Sequence, residues 1–460
     1  MNSLVDNLIS ICGAAAVFTD PADMASYEQD QTMNLRYSFD VLVKPGSAVE
    51  VSEVLKCCNL FNVPVTPRGG GTGVTGGALA VKGGVMLSVE RLNKIISINT
   101  DDQYVVSESG VVVADLCKYV EDSGFLFPVI PSSYESCFIG GNVAENAGSI
   151  HSCRYGNAAK YVLNLEVVLP TGEIIWTGAN VAKNATGLDL THLFVGSEGV
   201  LGVITKVVYK LLPLPLRDVT VMAAFDSMEN ACRAVLELKK MPFLPAAVEL
   251  ICADAINLTA SYMKERFPMV EEYIVGHLLV ELHGFDDDEI DRSVCRVFEI
   301  LEQYASENIL YAVTAEEKRK IWSLRFNIGN ALTDNGSFYR DIDISIPVSF
   351  LYCYVSFLEE LRQKENVSIV CFGHALDGNL HTMLQLDSRM TVSAGKIERL
   401  NEAIYRKVIE NGGVISGEHG IGMLQKEFMR LQFSLHHLEL FRKIKAQFDP
   451  NGIMNPGKMF

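Results

Sequence analysis

The sequence predicts an α+β fold divided into two domains and a returning C-terminal segment, and three observations predict it. Between residues 40 and 215, short β-rich runs are separated by glycine and proline. After the PLPL signal at 213 to 216 the texture changes to amphipathic stretches of helical length that alternate with strands. From about residue 411 a glycine-rich tail ending FDPNGIMNPGKMF matches neither texture. The boundaries expected from these changes are 1–215, with a core of about 38–215, then 216–410, then 411–460 packing back on the first domain.

In the first region the runs are DVLVKP, VPVTP, GVMLSV, YVVSESGVVV, LNLEVVLPTGEII and VLGVITKVVYKLLPLP. Their Val and Ile content and their glycine and proline punctuation suit strands of a layered structure and not a helical bundle. In the second region ENACRAVLELKKM has helical periodicity and EYIVGHLLVELHG is strand-like. Further on, SIVCFGHA and LHTMLQL are strand-like runs on either side of Asp377-Gly378, a strong hairpin-turn dipeptide.

A chain of 460 residues is long enough for two or three cores, and 48% hydrophobic with 21% charged residues is ordinary for a globular enzyme. The net charge of −17 argues against nucleic acid or an anionic membrane surface as the main partner. The apolar N-terminal run LISICGAAAVF has no preceding basic residue, the first being Arg36, so no signal peptide is expected. No apolar stretch approaches the roughly 20 residues of a membrane span. A cytoplasmic location follows, with any membrane contact made through a partner. The eleven cysteines include no Cys-x-x-Cys pair, which suits reduced core thiols and supplies no recognisable iron–sulfur ligand set.

The stretch PRGGGTGVTGG at 67 to 77 has six glycines among the ten residues from Arg68 to Gly77. Such a loop lets backbone amides approach a phosphate, although a glycine-rich surface turn has the same composition. Its formal Gly71-x-Gly73-x-x-Gly76 match to the dinucleotide fingerprint fails on context. The fingerprint needs a helix at the third glycine, and here Gly83, Gly84 and a strand follow. No Gly-Lys-Ser/Thr is present for a nucleotide triphosphate loop.

His374 and His381 would lie about 10.5 Å apart along a helix axis, too far for one ion. In a two-residue hairpin centred on Asp377-Gly378, Leu376 faces Asn379, Ala375 faces Leu380 and His374 faces His381. Opposed residues share a face with Cβ atoms about 4.5–5.5 Å apart, within reach of one divalent ion. Glu418, on the glycine-flanked turn SGEHG, offers a third ligand. On the residues alone, this ligand set and a pair of partly buried histidines satisfied by backbone both remain open.

The glycine loop is followed, in order, by PSSYESCFIGGNVAENAGSIHSCRYG at 131 to 156, KNATGLDLTHLFVGSEGVLGVITKVVYKLLP at 183 to 213 and NPGK at 455 to 458. Together these resemble the FAD-linked 2-hydroxy-acid dehydrogenases of the vanillyl-alcohol-oxidase superfamily, the branch of glycolate oxidase catalytic subunits and D-lactate dehydrogenases. The likeness runs from about residue 40 to the C-terminus. It implies a two-subdomain PCMH-type FAD-binding domain and an α+β substrate-binding cap domain with an antiparallel sheet. FAD contacts are implied at Arg68, Gly69, Gly70, Gly71, Thr72, Gly73, Gly76, Pro131, Gly140, Gly141, Asn142, Asn146, Ala147, Gly199, Val203, Ile204 and Asn455. The loop has no His or Cys to bond flavin, so FAD is expected to be non-covalent, with His151 and Cys153 as the residues that bear on this.

The family's pattern His-x-Gly-Asp-Gly-Asn-x-His with a later Glu-His implies one divalent ion, zinc, manganese or iron, on His374, His381 and Glu418, and His419 as general base. Leu376 departs from the pattern, which has glycine there. Arg325, on an expected helix, and Arg340, at the start of an expected strand, resemble positions that read substrate carboxylates, ordinary surface contacts being the alternative; Asn379 is implied as a further substrate or flavin contact. Relatives specific for 2-hydroxyglutarate carry Thr where Gly329 stands and Lys at the position of Arg340, which favours a small substrate such as glycolate or D-lactate. His277, His283, His436 and His437 are expected to be structural or exposed. The resemblance further implies a separate electron acceptor, whether an iron–sulfur subunit, an electron-transfer flavoprotein or a cytochrome, and allows a homodimer. The rivals are a D-2-hydroxyglutarate dehydrogenase and a non-catalytic FAD-holding subunit of a glycolate oxidase complex.

Overall fold

The computed structural model describes residues 2–264, 267, 269, 271–306, 309–334, 338–386 and 394–460. The chain forms two units: Met1–Ser149 with Gly156–Leu214 and His419–Phe460, and Ile150–Tyr155 with Pro215–Glu418.

The first unit holds two main sheets. In the four-stranded sheet the order is Val17–Phe18, Val41–Val43, Val85–Ser88, Val65–Arg68, and both Val41–Val43 and Val65–Arg68 run parallel to Val85–Ser88. Parallel strands are covered on both faces and so are apolar throughout; Val41, Leu42, Val43, Val85, Met86 and Leu87 are all fully buried. Helix Ala48–Phe61 packs there through Val51, Val54 and Leu55. It starts where Ser47 accepts the amide of Glu50 and stops at left-handed Asn62. The glycine-rich stretch leaves the carboxyl end of Val65–Arg68, the end of a parallel strand at which ligands collect. The five-stranded sheet, Ile95–Asn99, Tyr104–Glu108, Val203–Lys210, Val162–Val168, Ile174–Trp176, is antiparallel throughout.

The tail returns to the first unit by main-chain pairing. Val65 donates to Ile453 O and Asn455 donates to Val65 O, each at 2.8 Å, while Ile453 and Met454 enter the core beside Val65. Buried Asp449 turns the chain into this position by accepting the amides of Ile453 and Met454 and the Lys445 ammonium. The run YVVSESGVVV is not one strand: it divides into strand Tyr104–Glu108 and helix Val113–Glu121, and between them lies Gly110, where a Cβ would overlap the Val89 carbonyl.

The second unit is built on a seven-stranded antiparallel sheet in the order Leu310–Ala312, Arg217–Phe225, Gly276–Gly284, Ala247–Cys252, Ser368–His374, Asn379–Leu386, Phe338–Ser345. Helices with explicit starts flank it. Ser227 and Asp286 each cap through a side-chain oxygen, and Thr314 with Glu317 forms a capping box. Every residue of Gly276–Gly284 is buried, so its polar members His277, Glu281 and His283 must find partners inside the fold. The expectation of core thiols fails at Cys295 and Cys353, which are exposed on the outer sides of helices Asp287–Leu301 and Leu351–Glu365.

The hairpin is present with a register different from the expected one. His374 pairs with Asn379, Gly373 with Leu380 and Phe372 with His381, so four residues, 375 to 378, make the turn. The turn is closed by Gly378 N donating to His374 O at 3.0 Å, and Gly378 O accepts from Ile346 N at 3.0 Å. Because the shift is two residues, the histidines keep a common face and become diagonal neighbours. Leu376 has an ordinary negative φ, is buried, and its carbonyl accepts from Lys239 Nζ at 2.9 Å, so the turn does not need glycine there. Gly378 is different: its φ is +83°, and a Cβ would overlap the Ile346 carbonyl oxygen. Gly378→Ala is therefore expected to destabilise the protein by about 1–3 kcal/mol. Denaturant melts check this, and wild-type stability would contradict the turn geometry.

Candidate active site

In the second unit the hairpin and the turn before residue 419 bring three ligand atoms together. Glu418 Oε1 lies 3.4 Å from His374 Nε2 and 3.5 Å from His381 Nε2, and the two rings are 5.5 Å apart and nearly perpendicular. An ion bound tetrahedrally at about 2.0–2.2 Å spaces its ligand atoms about 3.4 Å apart. The donor set therefore fits a divalent cation.

Two of the three candidate ligands are held by buried acids that sequence reasoning missed. Glu249, fully buried on Ala247–Cys252 directly opposite His374, receives His374 Nδ1 on one oxygen and Arg325 Nε on the other. Burial alone would raise the Glu249 carboxyl, but His374 and Arg325 outweigh it and hold the group down to about 2. In the same way burial would lower the His374 imidazole, yet Glu249 and Glu418 push it well above its ordinary value. The Nδ1 contact leaves Nε2 turned toward Glu418, the orientation that carboxylate–histidine–metal arrangements use. Asp343, also fully buried, accepts the amides of Gly417 and Glu418 at 2.8 Å each and the Asn379 amide at 2.6 Å, which sets the turn that presents Glu418. The sequence signal for both acids was a single carboxylate inside an apolar run, AVELIC and IDIS.

The expected substrate contacts divide. Arg325 is nearly buried on helix Ala315–Phe326, its guanidinium 4.6 Å from the Phe372 ring centre. Its Nε is committed to Glu249. Arg340 alternates with Asp341 and Asp343 along Phe338–Ser345, so it lies on the sheet face opposite to Asp343 and His381 and is not brought to the histidines. The Asn379 amide nitrogen is held by Asp343 Oδ1 and Ile344 O, leaving its oxygen.

A second group, His151, Glu281 and His283, lies in the same unit. Each Glu281 oxygen meets one imidazole, His283 Nε2 at 2.9 Å and His151 Nε2 at 3.2 Å, and Tyr155 OH meets His283 Nδ1 at 2.7 Å. This is a hydrogen-bonded brace, and it places His283 among the structural histidines. Cys153 Sγ donates to the Pro245 and Ala246 carbonyls. His277 Nε2 contacts Met269 O, and His437 meets Ser434 Oγ.

Every expected FAD contact falls in the first unit. A Cβ on Gly73 or Gly141 would meet nothing within 4 Å, whereas one on Gly70 or Gly140 would run into the Ser136 carbonyl or Ser109. The loop and the 139–144 helix thus offer bare backbone on one side and are packed backbone to backbone on the other. Beside them the Asn142 amide is buried, and among the described residues neither its nitrogen nor its oxygen has a hydrogen-bond partner. An orphaned amide beside bare glycines fits a bound group rich in acceptors and donors, as FAD is. Gly71, Gly76 and Gly199 have φ of +71°, +77° and +70°. Thr72 continues the loop, and Pro131 opens a turn closed by Tyr134 N. Other expected contacts are engaged within the unit. The Arg68 guanidinium donates to the Tyr27 and Gln29 carbonyls, Asn146 Oδ1 accepts from Ala159 N, and Ala147 O accepts from Ala158 N. Val203 packs in the core, Ile204 is buried next to it in the strand, and Asn455 Nδ2 bridges Gly77 O and Glu198 O. His419 opens the returning segment, its carbonyl accepting from Thr75 Oγ1 at 3.2 Å.

The chain carries the two domains of a flavin-dependent oxidoreductase. It superposes on the crystal structure of p-cresol methylhydroxylase with substrate bound at a TM-score of 0.79, over 100% of this chain and 96% of that one, with 18% identity, a likeness of fold alone. Residues 39–178 match the family described as FAD binding domain, and residues 214–459 match the one described as FAD linked oxidases, C-terminal domain. The chain is 32% identical to "Glycolate oxidase subunit GlcD" of Bacillus subtilis (strain 168) over 99% of its length and 96% of that protein. It is also 32% identical to "D-lactate dehydrogenase" of Anaerostipes hadrus, over 91% and 89%. The chain belongs to the FAD-linked oxidases, as the sequence motifs led one to expect.

The reading of His374 as a metal ligand predicts that Glu249→Gln weakens zinc binding about 10–100-fold, the usual effect of removing a ligand's outer partner, with FAD content unchanged. Competition against a chromophoric chelator measures it, and an unaltered affinity would show that Glu249 does not orient His374.

Proposed function

We propose that this enzyme oxidises a small 2-hydroxy acid, glycolate or D-lactate, to the 2-oxo acid and passes the electrons to a separate acceptor. The observation that carries the reading is the triangle of His374, His381 and Glu418, braced by Glu249 and Asp343, in a chain of the FAD-linked oxidases. The names of the two relatives support the substrate class.

Bound FAD supplies the hydride acceptor at N5. A divalent ion, zinc, manganese or iron, held by His374, His381 and Glu418 would polarise the C2 hydroxyl and lower its pKa. The chain's own residues do the rest. Arg325 pairs its terminal nitrogens with the substrate carboxylate, its plane fixed by Glu249 and Phe372. His419 accepts the proton from the C2 hydroxyl oxygen while the C2 hydrogen leaves with its electron pair. The Asn379 oxygen can accept from the substrate. Arg340, on the sheet face opposite to Asp343 and His381, is not paired with Arg325 in this reading, which favours a short substrate side chain over a distal carboxylate. A non-catalytic FAD-holding subunit would need neither the ligand triangle nor the acids that brace it.

The Bacillus subtilis relative is named as a subunit, which supports a protein acceptor such as an iron–sulfur subunit, an electron-transfer flavoprotein or a cytochrome; a homodimer is compatible with this. Among the described residues no helix is long and apolar enough to cross a membrane. We place the enzyme in the cytoplasm, with any membrane association through its partner.

Anaerobic addition of glycolate, D-lactate, L-lactate and D-2-hydroxyglutarate to FAD- and zinc-loaded protein is expected to bleach the flavin absorbance with one of the first two. His419→Gln should slow that bleaching about 10²–10⁴-fold without altering the bound flavin spectrum. No bleaching by any acid would refute the function, and faster reduction by D-2-hydroxyglutarate would reassign the substrate.

A further inference from the structure

The turn from Ser416 to Gly422 is gripped by a different buried carboxylate on each side of the Glu418–His419 bond. Before it, in the second unit, Asp343 accepts the amides of Gly417 and Glu418. After it, in the first unit, Glu198 accepts the amides of Ile421 and Gly422, one on each oxygen and both at 2.7 Å. We propose that Glu198 is the positioning residue for His419, fixing the backbone that follows the histidine so that its imidazole holds one place relative to the FAD-binding loop; this rests on reading His419 as the base.

Three features support the assignment. Glu198 is buried and left-handed at φ +48°, a conformation that a glutamate keeps only where its surroundings over-determine it. Those surroundings are visible: its amide donates to Ala144 O at 2.9 Å and its carbonyl accepts from Asn455 Nδ2 at 2.8 Å. The residue after His419, Gly420, has φ +76°, and a Cβ there would overlap Glu145 Oε2 and come within 3.0 Å of Glu198 Oε1. Gly422, at φ +52°, is packed in the same way on the Thr75 carbonyl of the glycine loop. The backbone after His419 therefore has one course, set by Glu198 from one side and by the glycine loop from the other. The facing charges are Glu145 and Lys458: burial and the neighbouring Glu198 push Glu145 well above its ordinary value, and burial lowers Lys458 to about 8. An amide side chain at this position would turn its NH2 group toward one of the two amides.

The test is a double-mutant cycle on flavin reduction by D-lactate or glycolate, whichever reduces the wild-type enzyme, with Glu198→Gln and His419→Gln. Glu198→Gln should keep full FAD and zinc and lower the limiting reduction rate 10–100-fold with unchanged substrate saturation. In the His419→Gln background the same substitution should have no further effect, because its action passes through the histidine. An equal loss in both backgrounds, or no loss in either, would overturn the proposal. If His419→Gln itself leaves the rate unchanged, the base assignment fails instead. Hydrogen exchange in the unmodified protein provides a readout that needs no variant: the amides of Ile421 and Gly422 are expected to be protected, and exchange at the rate of an exposed loop would also overturn the proposal.

Discussion

Glu249 has no solvent exposure, and a carboxylate removed from water is stable only among cations and donors. It meets His374 and Arg325 at once, so one ion pair settles which nitrogen of the histidine faces Glu418 and how the arginine plane is turned. Deleting either partner would leave a buried charge, and moving either would move a candidate ligand and a candidate substrate cation together. The proposed chemistry is anchored by this single carboxylate more than by the hairpin that carries the histidines.

The same device recurs. Glu281 sits between His151 and His283, Asp343 between Asn379 and the Gly417–Glu418 amides, and Glu198 on the Ile421–Gly422 amides. In each case a buried acid uses both oxygens on separate donors, and at Asp343 and Glu198 this fixes an irregular turn. Strand pairing explains the placement of two of them. Glu249 is opposite His374 and Leu279, Glu281 is opposite Ala247 and Thr220, and pairing across adjacent strands keeps these side chains on one face of the sheet.

The motifs legible in the sequence were those whose partners are close along the chain. The glycine loop, the hairpin dipeptide and the strand-like runs are local features. The shared face of His374 and His381 tolerated a two-residue error in register because side-chain alternation has a period of two. The same alternation puts Arg340 on the sheet face opposite to Asp343 and His381, since a one-residue difference along the strand carries a side chain to the other face. The acids were invisible for the opposite reason: Glu249 is 76 residues from Arg325 and 125 from His374, and no local pattern links them. Glycine in the family pattern hid the fact that position 376 needs no left-handed backbone, which only the four-residue turn makes plain.

Residues 150 to 155 lie within the amino-acid run of the FAD-binding unit but belong to the other one, where His151 and Tyr155 satisfy Glu281 and His283. A cap fragment cut at Pro215 would fold, if at all, with buried Glu281 and His283 each short of one partner. The two units are therefore not interchangeable cassettes. A chimera that borrows a cap from a relative must carry over six residues from far upstream, and a swap guided by the domain boundary alone would break the seam it was meant to respect.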